Sequence, residues 1–561
     1  VRVARPQLAL LGLGSVALLL VSCSLLVGSP DCAADHDCLS GEVCASEGLC
    51  RPLVNELCGE TLGEFLDRDS ILLGVLLPLS GENTESGIHL RRAIELAIEE
   101  INAVGGVQGG QGRRKLAALV CDSQGDPSIG VAAAAYLAGV ASVPAIIGAA
   151  FSRVTLPVAR DVAIGTGTVL ISPASTAVEI SDLVDDDLVW RTVPPDSRQA
   201  DTMAHYATWE VLQVAGVNAY GVASQSQAEV KVSLVYPEDS YGQGLKHSFE
   251  DLLESKVAGT LNAVPGLQLG STGLQLVFES SSYADTDPET VAAIAAQVAA
   301  SAPDVVMLAG YDESSSLLAA LLESDHLREQ TSFFLSDGMR SDFLVTAFGS
   351  EGEGKPPLLF GANPGGRLAG DEVWEGFRDR YASRWNEDPL TLHNYVENAY
   401  DAAYLLAYSL SSLPAGAVAG RDVGAALKAL AGDPAGLYVR VGPQDLLVAF
   451  REVWDGARLN LRGASGPIAF EDATGDPIAA SIIRWDVDWD GARWQVVECG
   501  VASTYEVGGG QIRDWCAAHC TDAIPTHGDD DDSAGDDDDS AGDDDDSAAV
   551  GDPCRPPVMG S

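Results

Sequence analysis

The sequence predicts an α/β protein built on parallel sheets, preceded by a small disulfide-rich module and followed by a disordered acidic tail. Three observations carry this reading. Between residues 70 and 500, apolar strand-like runs alternate with longer amphipathic segments. Near the start, Cys32, Cys38, Cys44 and Cys50 recur every six residues. Near the end, "GDDDDSAGDDDDSAGDDDDSA" (528–548) repeats one aspartate-rich unit three times.

The expected strands are "ILLGVLLPL" (71–79), "KLAALVC" (115–121), "PAIIGAA" (144–150), "TVLISP" (168–173), "KVSLVYP" (231–237), "DVVMLAG" (304–310) and "TSFFLSDG" (331–338). Runs this continuously apolar imply strands buried on both faces. Between the first two, "SGIHLRRAIELAIEEINAVGG" brings Ile88, Ala93, Ile94, Ala97, Ile98 and Ile101 to one helical face and stops at Gly105-Gly106. Asp126 and Pro127 open the next helix as N-cap and first helical residue.

The first residues, "VRVARPQLALLGLGSVALLLVSC", join a basic start to an apolar stretch too short for a membrane span of about 20 residues. Leu20-Val21-Ser22-Cys23 resembles a bacterial lipobox, so residues 1–23 are expected to be a lipoprotein signal segment with Cys23 as the lipidated residue. Ser24 after it is similar to the sorting pattern of outer-membrane lipoproteins. Export makes disulfides the expected state of the other cysteines. The four evenly spaced ones admit three connectivities, and their spacing lacks the close pairs of zinc sites. Residues 24–66 are therefore a Cys-rich module and tether, and 501–561 a Cys-containing extension carrying the acidic repeat. That repeat has no large apolar residue with which to build a core.

The chain has 561 residues, 46% of them hydrophobic, and Lys+Arg 33 against Asp+Glu 82 leave a formal charge of -49. Such a surface repels phosphate backbones and argues against nucleic-acid binding. Catalytic patterns fail one by one. Gly349–Lys355 starts like a P-loop, but Pro356 stands where a Mg²⁺-binding hydroxyl is needed. "DVDWDG" (486–491) opens like a calcium loop, yet Val497 occupies the position of the bidentate Glu, so a β-hairpin turning at Asp490-Gly491 is expected instead. No H-E-x-x-H and no G-x-S-x-G occurs. The expectation is a non-enzymatic protein without cofactor or metal.

The motifs "GVLLPLSG" (74–81), "AIELAIEEINAVGGVQG" (93–109), "CDSQGDP" (121–127), "IIGAAFSRVTLPVA" (146–159), "LISPASTAVEIS" (170–181), "WRTVPPDSRQ" (190–199), "YPEDSYGQGL" (236–245) and "FFLSDG" (333–338) stand in one register. In that order the chain resembles type I periplasmic binding proteins, in particular the leucine/isoleucine/valine-binding receptors of ABC importers, over about 70–500. The resemblance implies a two-lobed, Venus-flytrap fold with ligand in the cleft. Lobe 1 would comprise about 70–195 and 340–440, and lobe 2 about 196–339 and 441–500.

A helix N-terminus with hydroxyls in its first turn favours an anion, and Ser152 and Thr155 stand where such a helix begins. A serine there is also an ordinary N-cap. The resemblance implies that Ser152 holds a ligand α-carboxylate, that Ala174 and Thr176 serve both ends of an amino acid, that Tyr241 and Tyr311 wall the pocket, and that Asp337 takes the ammonium. Asp337 before a glycine is otherwise a turn residue. Tyr395 is a further pocket candidate. Ser86, where related receptors often carry an aromatic, and Arg153, beside Ser152, depart from the pattern and leave the ligand open among amino acids, amides and carboxylates. The resulting expectation is a lipid-anchored receptor of the bacterial cell envelope, on the periplasmic face or outer membrane, working with an ABC permease; the alternative is a sensor of the same fold acting in signalling.

Overall fold

A computed structural model of the chain describes residues 32–512 except 45–47, 82, 110–111, 217–228, 264–273, 342, 350–353, 366–370, 387–392, 415, 417, 431–434 and 507–508. The lipobox with Cys23 and the 528–548 repeat lie outside the described residues.

The small module closes with interleaved disulfides, Cys32–Cys44 and Cys38–Cys50, across a hairpin of Glu42–Cys44 and Cys50–Pro52. All four sulfurs are thus taken up by disulfides, leaving none of these thiolates for a zinc site. A third bond joins Cys58 to Cys121 inside the strand Leu116–Asp122, stapling the segment after the module onto the first large sheet. Closing a loop with this separation of 63 residues is worth about 4 kcal/mol in the chain-entropy account.

All seven apolar runs form strands. The first sheet has the order Val189–Arg191, Val169–Ser172, Ala145–Gly148, Ile71–Leu77, Leu116–Asp122, Glu60–Gly63, parallel except for the last, antiparallel edge. The helix Thr84–Ala103 packs on it through Leu90, Ala93, Ile94, Ala97, Ile98 and Ile101, with Ile88 only partly buried and His89 buried against Tyr381 and His393. Gly87 sits so close to the preceding strand end that a Cβ would lie 1.9 Å from the carbonyl oxygen of Pro78. The helix stops as expected: Gly106, at φ +91°, returns its N–H to the carbonyl of Ile101. Asp126 caps the next helix by accepting from the N–H groups of Ser128 and Ile129.

The second sheet runs Gln275–Tyr283, Glu229–Pro237, Val305–Leu308, Ser332–Leu335 and Leu358–Pro364 in parallel, then continues antiparallel through Ala480–Trp489, Trp494–Glu506 and Gly509–Ile512. The expected hairpin is there, its turn closed by Asp490, whose side chain accepts from the N–H groups of Ala492 and Arg493.

Both lobe boundaries differ from the expectation. Leu358–Pro364 pairs with Ser332–Leu335, so the second lobe extends past residue 340 to about 364. Leu446, Phe450 and Val453 of the helix Leu446–Trp454, with Leu459 and Leu461 of Leu459–Gly463, are buried in the core of the first lobe, so that lobe extends past residue 440 to about 470. The chain passes between the lobes after Arg191, after Pro364 and again before Ala480. No helix among the described residues is long and apolar enough to cross a membrane.

Candidate functional site

Between the lobes lies a cavity with about 660 Å³ of empty space, its open mouth included. From the first lobe it is lined by Asn83, Ser86, Ala150, Ser152, Ala174 and Thr176, and from the second by Tyr241, Tyr311, Asp337 and Arg340. The segment His393–Tyr395, which leads back into the first lobe, completes the wall. Six of the seven proposed ligand contacts are therefore brought together on one cavity, with Tyr395 beside them.

Thr155 is the exception. It is fully buried, and its hydroxyl donates to the carbonyl of Ala149 and lies 2.7 Å from that of Ser175. Ser175 in turn donates to the carbonyls of Ala149 and Ala150, so Thr155 holds the strand-to-helix turn in place and does not line the cavity.

Ser152 is the first residue of its helix, with Phe151 in the capping position. The N–H groups of Val154 and Thr155 turn back to the carbonyl of Phe151. The Ser152 hydroxyl accepts from the N–H of Ala177, fixing the loop that presents Ala174 and Thr176. Arg191 anchors the same loop from behind: its guanidinium, fully buried, donates to the carbonyl of Ala177, to Ser181 and to Asp476.

Facing this polar turn, Asp337 is buried at the end of Ser332–Leu335. Tyr241 donates to one of its carboxylate oxygens at 2.7 Å and Tyr395 to the other. Burial pushes the Asp337 carboxyl above its ordinary range, with the tyrosine hydroxyls and Gln199 opposing. Asp196, at the start of the first passage between lobes, is also fully buried and pushed well up, first by burial and then by the charge of Asp337. Burial raises both tyrosines well above their usual range, so they act as neutral donors.

Arg153 does not point to open solvent. Its guanidinium lies 4.8 Å from the ring centre of Phe151 and 4.6 Å from that of Tyr311, and 3.7 Å from the Asp239 carboxylate. Tyr311 donates to the same carboxylate at 2.6 Å. Helix residue and second-lobe partners thus form a clasp across the cleft. Asn394 makes another, donating to the carbonyl of Asp337 at 2.8 Å and accepting from Arg340.

Phe151, Arg340 and Asn394 were not singled out from the sequence. Their one signal was adjacency, to Ser152, to the "LSDG" turn and to Tyr395. Tyr395 itself sits at φ +67°, a left-handed conformation that its sequence gave no reason to expect.

A family model described as "Periplasmic binding protein" matches residues 70–445. The chain belongs to the periplasmic binding protein family. Relatives of this family member include a Leu/Ile/Val-binding protein homolog of Brucella melitensis, 27% identical over 32% of this chain and 43% of the relative, less than half of that protein's length. A chemotactic signal transduction system substrate-binding protein of Halobacterium salinarum is 28% identical over 74% of this chain and 86% of the relative. Among solved structures, the leucine binding protein LivK of Thermotoga maritima matches with a TM-score of 0.54 at 20% identity, over 77% of this chain and 98% of its own. A solute binding protein from R. palustris in complex with benzoate matches equally, at 0.54 and 14% identity, over 79% and 98%. At these identities the likeness concerns the fold.

Proposed function

We propose that this binding protein takes a small amino-acid-like solute, carboxylate against the first lobe and ammonium against the second, and hands it to an ABC importer outside the cytoplasm. The observation that supports this most is the polarity of the cavity. Ser152, Ala174 and Thr176, at and around a helix start, stand on one side, and the buried Asp337 on the other. A helix N-terminus favours an anion and a buried carboxylate requires a cationic partner, so the two walls together suit a zwitterion. The oxidised cysteines fit an extracytoplasmic compartment, and Cys23 is the proposed lipid attachment site.

A thermal-shift screen of the protein against amino acids, amides and carboxylates tests the reading. A true ligand at 100 times its Kd stabilises by about 2.7 kcal/mol. Stabilisation by α-amino acids and not by their deaminated analogues is the expected result; stabilisation by simple acids such as benzoate alone would overturn the zwitterion assignment.

The Halobacterium relative favours a second reading, sensing, because its match spans most of both chains. Deleting the gene separates the two: loss of ligand uptake marks transport, and intact uptake with loss of a ligand-directed response marks sensing. For the anchor, Cys23→Ser is expected to abolish acyl labelling, and persistent labelling would exclude that attachment.

A further inference from the structure

Behind the cavity wall, His393, one of the lining residues, converges with Glu85 and His89, which lie outside the lining. Glu85 and His89 lie one turn apart on the helix Thr84–Ala103, hence on one face. His393 reaches them from the segment before Val396–Ser412. One donor atom from each of the three lies within 4.8 Å of the others. Nε2 of His393 is 3.7 Å from a carboxylate oxygen of Glu85, and the two imidazoles face each other with centroids 3.9 Å apart. Nδ1 of His89 is 2.7 Å from the Tyr381 hydroxyl in a buried contact.

We propose that Glu85, His89 and His393 form a binding site for one divalent transition-metal ion of the zinc class behind the wall of the ligand cavity. Two imidazole nitrogens and a carboxylate are the donors that such ions take, whereas Ca²⁺ and Mg²⁺ prefer oxygen throughout. Metal-bound histidines are held by a hydrogen bond on their other nitrogen, and Tyr381 supplies that for His89: with Nδ1–H donated to the tyrosine oxygen, Nε2 keeps its lone pair. An ion about 2.1 Å from each donor separates the donors by roughly 3.4 Å, close to the existing 3.7 Å pair. The remaining adjustment is a turn of the His393 ring out of its stack, which a half-buried side chain at the cavity edge permits. Three protein donors leave a coordination position for water or a solute group.

The location gives the site a consequence. His393 directly precedes Asn394 and Tyr395, which hold Asp337 from across the cleft. An ion bridging His393 to the helix Thr84–Ala103 fixes the segment on which that contact depends. The site stands on its own donors and does not require the solute to be an amino acid.

Calorimetric titration of the full, disulfide-intact chain with Zn²⁺ tests it, with Co²⁺ absorption as an independent report of imidazole ligation. Wild type is expected to show one saturable site apart from the weak, diffuse uptake of the aspartate repeat. His393→Ala should abolish that site and its Co²⁺ spectrum while keeping a cooperative metal-free melting transition, and Tyr381→Phe should weaken it about 10-fold or more. Absence of a saturable site in wild type, or equal affinity and stoichiometry in the His393→Ala and Glu85→Gln variants, would overturn the proposal.

Discussion

Both oxygens of Asp337 already accept from tyrosine hydroxyls, so the proposed ligand ammonium would enter as a third donor to a carboxylate that burial disfavours as an anion. Removing one partner of such a buried charge pair costs about 2–5 kcal/mol, and Asp337→Ala should weaken an α-amino acid by roughly 30-fold or more in calorimetry. Ser152→Ala should cost less, about 1–2 kcal/mol, because the helix N–H groups remain. The raised carboxyl of Asp337 also sets a pH dependence. Cation binding favours its ionised form, so affinity should fall as the solution is acidified toward its elevated pKa, with Asp196, Tyr241, Tyr395 and Gln199 as the facing groups. An affinity independent of pH in that direction would contradict the pairing. Arg153 acts differently, since its stack on Phe151 and Tyr311 and its pairing with Asp239 join the lobes. Arg153→Ala should lower ligand affinity by about tenfold through loss of about 1–2 kcal/mol of cross-cleft contact, a loss that Arg153→Lys partly restores.

Among the elements, Val396–Ser412 is the axle of the first lobe, buried on nearly every side. Tyr400 and Tyr404 reach Glu100 with their hydroxyls, and Arg380 pairs with the same carboxylate, so these four side chains form one polar cluster in the core. Asp401 is held apart from them. It accepts from the N–H groups of Ala464 and Ser465 and from the Ser465 hydroxyl, and Gly463 passes so close that a Cβ would lie 2.3 Å from the carboxylate. Burial nonetheless pushes its pKa up to about 7. Folding therefore favours the protonated form: this contribution is full below about pH 4 and is lost as pH rises through 7, up to about 4 kcal/mol. Melting curves of wild type and Asp401→Asn should diverge between those limits, and parallel curves would refute the shift. The sheets were legible in sequence because doubly buried strands leave unbroken apolar runs. Leu358–Pro364 was not, since "LLFGANP" mixes its apolar residues with Gly, Asn and Pro, and its membership is decided by pairing across the sheet. The site was legible in part for a related reason. Spacing placed Ser152 and Thr155 in one helical turn, but only the tertiary partners Ala149 and Ser175 determine that Thr155 faces inward.

For the whole molecule, the proposed binding chemistry lies between the two lobes. Deleting the chain from residue 528 onward should leave ligand affinity within about threefold, since a repeat of Asp, Ser, Gly and Ala offers no large apolar groups with which to shape a pocket; a larger loss in titration would place it at the cleft. The N-terminal segment is different, because the Cys58–Cys121 bond makes it covalently part of the first sheet. Tyr136 adds to the seam by donating to the carbonyls of Pro52 and Leu53. That staple has a mechanical meaning. A pull applied to the chain before Cys58 would be stopped there and delivered to the strand beside the antiparallel edge of the first lobe's sheet, upstream of every passage between the lobes. With the chain tethered through Cys23 as proposed, such tension would bypass the crossings between the lobes, so that the first lobe would be the fixed jaw, the second the one that swings, and solute capture would take the same effort on a slack tether as on a taut one.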